Sequence, residues 1–358
     1  MGEALETFDP LLGEVINEKY RVVSQLGRGG MGVVYAAEQL ALSRTVALKV
    51  LRADRDLDTR DPAFRERFTR EASLCARLSH PNVVTVFDFG AIESPAVEGI
   101  VGGYFIAMEH LAGETLSRRL KRTPTLPLED TLRIVGEIAR GLREAHRCGL
   151  IHRDLKPANV MLIEHPEEAV ERVKLFDFGL VKHVESEGAQ EITREGSFLG
   201  SPRYIAPEQI SGEPVDQRAD LYALGIIFYQ CLAGVTPFEG GNSTQVMLAR
   251  LTSVAPRLRE RNALCEVPAE VEALVLRLLE RNPADRFASV SDLLAAMRGV
   301  SEALGFSFGA ALNDSRSQEF SRAPSGPRPT PPPLPALRPA APAAAPAVVP
   351  AAGDQPGR

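Results

Sequence analysis

Five short motifs follow one another along this chain, and their order constrains what it can fold into more than any other feature. They are Gly27-Arg28-Gly29-Gly30-Met31-Gly32-Val33-Val34, Val46-Ala47-Leu48-Lys49, His152-Arg153-Asp154-Leu155-Lys156-Pro157-Ala158-Asn159, Asp177-Phe178-Gly179 and Ala206-Pro207-Glu208. The first is weak on its own. A G-x-G-x-x-G run also marks dinucleotide-binding turns, but there a helix opens directly after the third glycine. Here Val33-Val34-Tyr35 follow, and β-branched and aromatic residues favour a strand. A glycine-rich turn between two strands is a lid whose backbone N–H groups can close on phosphates without interference from a Cβ.

The second motif alternates as a strand does, which puts Ala47 and Lys49 on one face and Leu48 on the other. Lys49 needs a carboxylate to hold it, and the segment after Asp61-Pro62 offers Glu66 and Glu71. Phe64, Phe68, Cys75 and Leu78 recur at helical spacing and define the inward face of that segment. Glu71 lies three residues after Phe68 and four before Cys75, on the same face, whereas Glu66 falls roughly opposite Phe68. The periodicity predicts Glu71 as the partner of Lys49 and Glu66 as a solvated side chain.

The third motif is the most specific. Leu132, Val135, Ile138 and Leu142 form an apolar helical stripe that ends near Gly149, and Leu150-Ile151 lead into His152. An isolated His-Arg-Asp is more often a salt-bridged loop than a reactive site. The fixed spacing from Asp154 through Lys156 to Asn159 reverses that expectation.

Composition bounds the remaining choices. With 358 residues, 44% of them hydrophobic, the chain has room for a two-lobed core and more. A net charge of −6 gives no basic footprint, so nucleic acid is not an expected partner. Cys75, Cys148, Cys231 and Cys265 stand far apart with no C-x-x-C pair, which argues for reduced thiols in a cytoplasmic protein rather than a zinc or redox site. Met1 to Glu6 is acidic and lacks an apolar run, and Glu6 breaks the myristoylation pattern, so neither a secretory signal nor a lipid anchor is expected. The apolar run Leu221 to Tyr229 is too short to cross a bilayer and reads as a buried core helix. From Ala323 to Arg358, 12 of 36 residues are Pro and 10 are Ala. Such a segment buries too little apolar surface to offset its ordering entropy; its P-x-x-P matches are nearly inevitable at this density.

Taken together, the five motifs resemble those of the protein kinases, from about Tyr20 to Gly299. Gly29-Gly30-Met31-Gly32 and Tyr204-Ile205-Ala206-Pro207-Glu208-Gln209 are similar to the phrasing of the bacterial eukaryotic-like (Hanks-type) serine/threonine kinases. The resemblance implies an α+β, bilobal protein kinase-like fold. A leader over 1–17 would precede a kinase domain over 18–300, with a small antiparallel β lobe carrying one main helix over 18–108 and a larger, mostly helical lobe over 109–300. A tail over 301–358 would follow, disordered from about 323.

By the same resemblance, ATP would lie between the lobes against Leu26, Gly27, Gly29, Gly30, Gly32, Val34 and Ala47. Lys49 would reach its phosphates, Met108 would act as gatekeeper, and Glu109 and Leu111 would supply the hinge with His110. Asp154 would take the proton of a protein Ser or Thr hydroxyl, and Lys156 would stabilise the transferring phosphoryl group. Asn159 and Asp177 would hold Mg²⁺, with Mn²⁺ as the alternative metal. Lys156-Pro157 implies Ser/Thr rather than Tyr as acceptor. Asp220 would hydrogen-bond the catalytic loop backbone, and Arg286 would pair with Glu208.

His183 to Gly200 would be an activation loop, with Thr193 and Ser197 as autophosphorylation sites paired to Arg153, and Gly200 to Tyr204 would dock substrate. Departures from the family are confined to two lengthened turns, Ala91–Gly103 and Glu164–Arg172. No transmembrane helix or sensor domain is expected after the kinase, and the tail is a candidate protein-binding segment. A catalytically silent pseudokinase scaffold is the alternative, against which stand Lys49, Asp154 and Asp177. A nucleotide-binding regulator that phosphorylates no protein is the third reading.

Overall fold

The computed structural model describes residues 9–29, 32–51, 61–95, 97, 100–164, 171–178 and 202–305. Its first half is an antiparallel sheet of six strands in the order β1-β2-β3-β4-β6-β5. These are β1 (Val15–Ile16), β2 (Tyr20–Gly29), β3 (Gly32–Gln39), β4 (Arg44–Leu51), β5 (Val86–Ala91) and β6 (Tyr104–Glu109). The glycine-rich motif is the turn from β2 to β3, as its flanking residues require. Gly32 has a steric role there, because a Cβ would lie 2.2 Å from the carbonyl oxygen of Val50.

One face of this sheet packs on α1 (Pro62–Arg77). Asp61 caps the helix by accepting from the Ala63 amide at 2.9 Å, with Pro62 at the first helical position. Phe64 and Phe68 pack at a tilt against Tyr104 of β6, with ring centroids 5.5 and 4.6 Å apart. The other face has its own core. Tyr20, Val22, Val33, Tyr35, Leu48, Val50 and Phe105 are buried there under Leu11 and Ile16 from the N-terminal side, and under Ile92 and Ile100 from the long turn between β5 and β6. Leu48 belongs to this outer cluster and Ala47 to the inner one, as strand alternation predicts.

Residues 9–16, assigned to a leader on sequence, are thus built into the small lobe. Leu11 and Ile16 are fully buried, and the Asp9 carboxylate accepts from the Tyr35 hydroxyl at 2.7 Å. The two short apolar pairs, Leu11-Leu12 and Val15-Ile16, carry no helical or strand periodicity by which this could have been read.

The second half is helical around α3 (Leu128–Arg147) and α5 (Arg218–Ala233), with α8 (Ala269–Leu278) and α9 (Val290–Ala303) packed on them. Shorter helices are α2 (Leu116–Arg122), α4 (Pro207–Ser211), α6 (Ser243–Thr252) and α7 (Leu258–Arg261). The apolar run Leu221 to Tyr229 lies inside α5 and is buried throughout. Among the described residues, no helix is long and apolar enough to cross a membrane. A small sheet, β7 (Glu114–Thr115), β8 (Val160–Ile163) and β9 (Arg172–Leu175), carries the third and fourth sequence motifs at its ends.

The lobes are tied together just after α1. Val84 donates its amide to the Leu175 carbonyl at 2.8 Å, and Leu175 donates to the Asn82 carbonyl at 2.9 Å. The buried Asn82 side chain donates to Glu137 of α3 and to the Val173 carbonyl, each at 2.8 Å. Gly141 permits this approach, since a Cβ there would stand 2.8 Å from the Asn82 carbonyl oxygen and 2.9 Å from Leu175 Cδ1.

Candidate active site

The α3 helix ends at Arg147, and Gly149 turns the chain at φ +75 before Leu150 enters the core. The segment that follows is held from below by Asp220, in the first turn of α5. The Asp220 carboxylate accepts from the His152 amide at 2.8 Å, the Arg153 amide at 2.9 Å and His146 Nε2 at 2.7 Å. Burial alone would raise its pKa, but these donors outweigh that and hold it below the ordinary carboxylate value. Arg153 can then adopt φ +59, a left-handed conformation unusual for a side chain of its size. The turn delivers Asp154 to the cleft.

Asp154 is oriented by its neighbours in the motif. Lys156 Nζ donates to Asp154 Oδ2 at 2.6 Å, and Asn159 Nδ2 donates to the same oxygen at 3.2 Å and to the Asp154 carbonyl at 2.9 Å. The 3₁₀ turn Pro157–Asn159 produces this convergence, and Asn159 is 4% exposed. With Nδ2 committed to Asp154, its Oδ1 is the group left to meet a cation.

His152 points the other way. Its imidazole is fully buried against Phe178, with ring centroids 4.5 Å apart, and neither ring nitrogen has a hydrogen-bond partner among the described residues. Burial lowers its pKa and keeps it neutral. It is a packing residue beneath the loop.

Asp177 follows β9 at φ +59, and its carboxylate forms an ion pair with Lys49. Helical periodicity says which way Glu71 faces, and the side it faces is as expected: Glu71 is 5% exposed while Glu66 is exposed. Glu71 and Asp177 are neighbours. Cys75, one turn beyond Glu71, is pushed up to about 12, first by burial and then by the charges of Glu71 and Asp177.

Lys49, Cys75, Ile106, Met108, Asp177 and Phe178 line a cavity of about 20 Å³ behind the cleft. Ala47 and Met108, each 8% exposed, are paired across β4 and β6, and Val34 is paired with Lys49 across β3 and β4. Leu26, Gly27 and Gly29 lie on β2 and Gly32 opens β3, at the lip of the same face, and Leu26 is half exposed. Gly30 lies outside the described residues, as do Thr193, Ser197 and Ser201. Leu111 packs partly buried beyond β6. The Glu109 side chain accepts from Lys174 Nζ of β9 at 2.6 Å, a strut between hinge and large lobe that the sequence reading missed. Alternation in Arg172-Val173-Lys174-Leu175, which sets Lys174 opposite two buried residues, was the available signal. His146 was also missed; a lone His near a helix end gives no sign of a buried acid 74 residues away.

Glu208 and Arg286 form a two-pronged, fully buried pair at 2.7 and 2.8 Å, with Arg286 also donating to the carbonyls of Arg218, Glu280 and Arg281. The pair fixes α4 to the helical core just after the segment assigned to substrate docking.

This geometry is accompanied by a match to the protein kinase domain family over residues 20–297. The chain belongs to the protein kinase family. Among similar proteins, the serine/threonine-protein kinase pkn3 of Myxococcus xanthus is 41% identical over 293 residues, covering 82% of this chain and 52% of that protein. The serine/threonine-protein kinase PknB of Mycobacterium tuberculosis is 35% identical over 282 residues, covering 78% of this chain and 42% of that protein. The kinase chain thus spans about half the length of these relatives or less. The crystal structure of the Mycobacterium tuberculosis PknI kinase domain aligns with a TM-score of 0.61 at 32% identity, over 82% of this chain and 99% of that one. The fold is therefore the α+β kinase-like fold, with an antiparallel small lobe and a helical large lobe.

Proposed function

We propose that this kinase transfers the γ-phosphoryl group of ATP to Ser or Thr hydroxyls of proteins, in bacterial signalling from the cytoplasm. The observation that carries the reading is the convergence of Lys156 and Asn159 on Asp154 Oδ2, which fixes a carboxylate at the mouth of the cleft between the lobes. Asp154 accepts the proton of the incoming hydroxyl and aims its oxygen, while Lys156, already on that carboxylate, lies where charge accumulates on the transferred group. Lys49 holds the phosphates, and the glycine-rich turn covers them.

The donor set fits a hard divalent cation such as Mg²⁺. Asn159 Oδ1 and the Asp177 carboxylate are oxygen ligands, and two protein ligands suffice where phosphates supply the others. A cation bound there would neutralise phosphate charge. Phosphorylation of the kinase's own activation loop, at Thr193 or Ser197, is supported by Arg153, whose Nε is buried without a hydrogen-bond partner among the described residues. The free cysteines are in keeping with a reducing compartment.

Incubation with labelled ATP, Mg²⁺ and a generic basic protein tests the reading. Lys49→Met and Glu71→Gln are each expected to lower incorporation at least about tenfold, with the double variant hardly worse than either, because groups acting as a unit are non-additive. Glu66→Gln is the control, and equal damage from Glu66 and Glu71 would refute the role given to Glu71. No incorporation by the wild type on any hydroxyl acceptor would overturn the assignment.

A further inference from the structure

A cavity of about 370 Å³ opens in the helical lobe, between the first turns of α5, the segment leaving α6 and the end of α8. Its size is that of a small-molecule site, and none of the residues assigned to catalysis or ATP binding lines it. Tyr222 forms part of its lining. That side chain is 1% exposed, its ring lies under the Arg286 guanidinium, and its hydroxyl has no hydrogen-bond partner among the described residues. Burial pushes the phenol up to about 12, so the hydroxyl is a proton donor at any physiological pH. The hydroxyl opens on the cavity, and without a protein acceptor it is available to a ligand.

The charges around that hydroxyl say what would meet it. Arg250 lines the same cavity and is 1% exposed, whereas the other charged lining residues, Arg281, Glu280 and Asp285, are all exposed. The floor therefore offers the Tyr222 hydroxyl and one buried positive charge, with no buried acid among the described lining residues. Leu276 and Leu279 form an apolar wall, and Ser253 stands at the exposed mouth. Glu280 and Asp285, also exposed at the mouth, oppose any ligand with charge spread over its length, such as a nucleotide or a polyphosphate.

We propose that this cavity binds a small monocarboxylate with an apolar body, its carboxylate accepting from the Tyr222 hydroxyl beside Arg250. The site is coupled to the substrate side of the kinase. Arg250 Nη1 donates to the Ile205 carbonyl at 2.9 Å, and Tyr204 is anchored to Gln230 of α5 at 2.7 Å, so the segment that docks substrate shares a wall with the cavity. Occupation of the cavity changes KM for the protein substrate and leaves KM for ATP alone. That second half rests on the protein-kinase reading; binding itself does not.

Benzoate serves as the probe, with benzamide and benzylamine as neutral and cationic counterparts, followed by saturation-transfer NMR on the full chain. Benzoate is expected to bind the wild type. Tyr222→Phe should weaken it about fivefold, the worth of one hydrogen bond, and Ser253→Phe, which fills the mouth from an exposed position, should abolish it. Absence of benzoate binding, equal binding in both variants, or tighter binding of benzylamine would overturn the site. Benzoate that binds as expected but leaves the peptide KM unchanged would overturn the coupling. A wild type without kinase activity would still give the binding result, so failure of the site and failure of the functional reading are told apart.

Discussion

Asp220→Asn is the substitution whose cost can be worked most completely from the geometry. Asp220 Oδ2 receives two donors, His146 Nε2 and the His152 amide, and Oδ1 receives the Arg153 amide. An asparagine can place its single oxygen on one side only. Whichever orientation it takes, at least one main-chain N–H faces an amide NH₂ in a site that is 1% exposed. The loss of one charge-assisted hydrogen bond plus a buried unmet donor amounts to about 2–4 kcal/mol. For a domain of this size that lowers Tm by about 3–7 °C. Because the same two amides hold Arg153 at φ +59, Asp154 is also displaced, and a misplacement near 1 Å costs kcat on the order of 10²-fold. Denaturant unfolding of both proteins, with peptide kinetics on the same preparations, reads both numbers. A loss below about 1 kcal/mol together with unchanged kcat would refute the reasoning that Asp220 supports the loop.

Two further perturbations test other joints of the fold. His152 is buried neutral with its pKa lowered from 6.5, so below pH 6.5 the unfolded chain takes up a proton that the folded one refuses. Stability therefore rises with pH up to about 6.5 and is flat above it; the excess slope of wild type over His152→Phe should be about 1.4 kcal/mol per pH unit on the acid side, and equal slopes would contradict it. Gly141→Ala brings a methyl against the Asn82 carbonyl oxygen at 2.8 Å and should destabilise by about 1–3 kcal/mol; chemical unfolding that finds the variant as stable as the wild type would show that the contact between α3 and the loop after α1 is loose.

What the sequence made legible was whatever has a period or a fixed spacing. Alternation assigned Ala47 and Leu48 to opposite faces of β4, and helical phase separated buried Glu71 from exposed Glu66. Spacing within one turn gathered Asp154, Lys156 and Asn159, because the chain between them is too short to scatter. Contacts between distant segments have no such local mark. The Lys49 ion pair with Asp177 spans 128 residues, and the Asn82 to Glu137 bond spans 55. The N-terminal segment and the long turn that together cover the outer sheet face contribute a few apolar residues, Leu11, Ile16, Ile92 and Ile100, whose burial depends on a surface that exists only after folding. The cavity beside Tyr222 belongs to the same class, being formed by the ends of three helices.

The central claim is that Asp154 is the base of a phosphoryl transfer to protein hydroxyls. Asp154→Asn keeps the shape of the side chain and its place beside Lys156 and Asn159 while removing the charge that takes the proton. The account predicts that transfer of labelled γ-phosphate from ATP to a Ser/Thr peptide falls by on the order of 10²–10⁴ in kcat, with ATP affinity little changed. Transfer by Asp154→Asn at a rate near that of the wild type would contradict it.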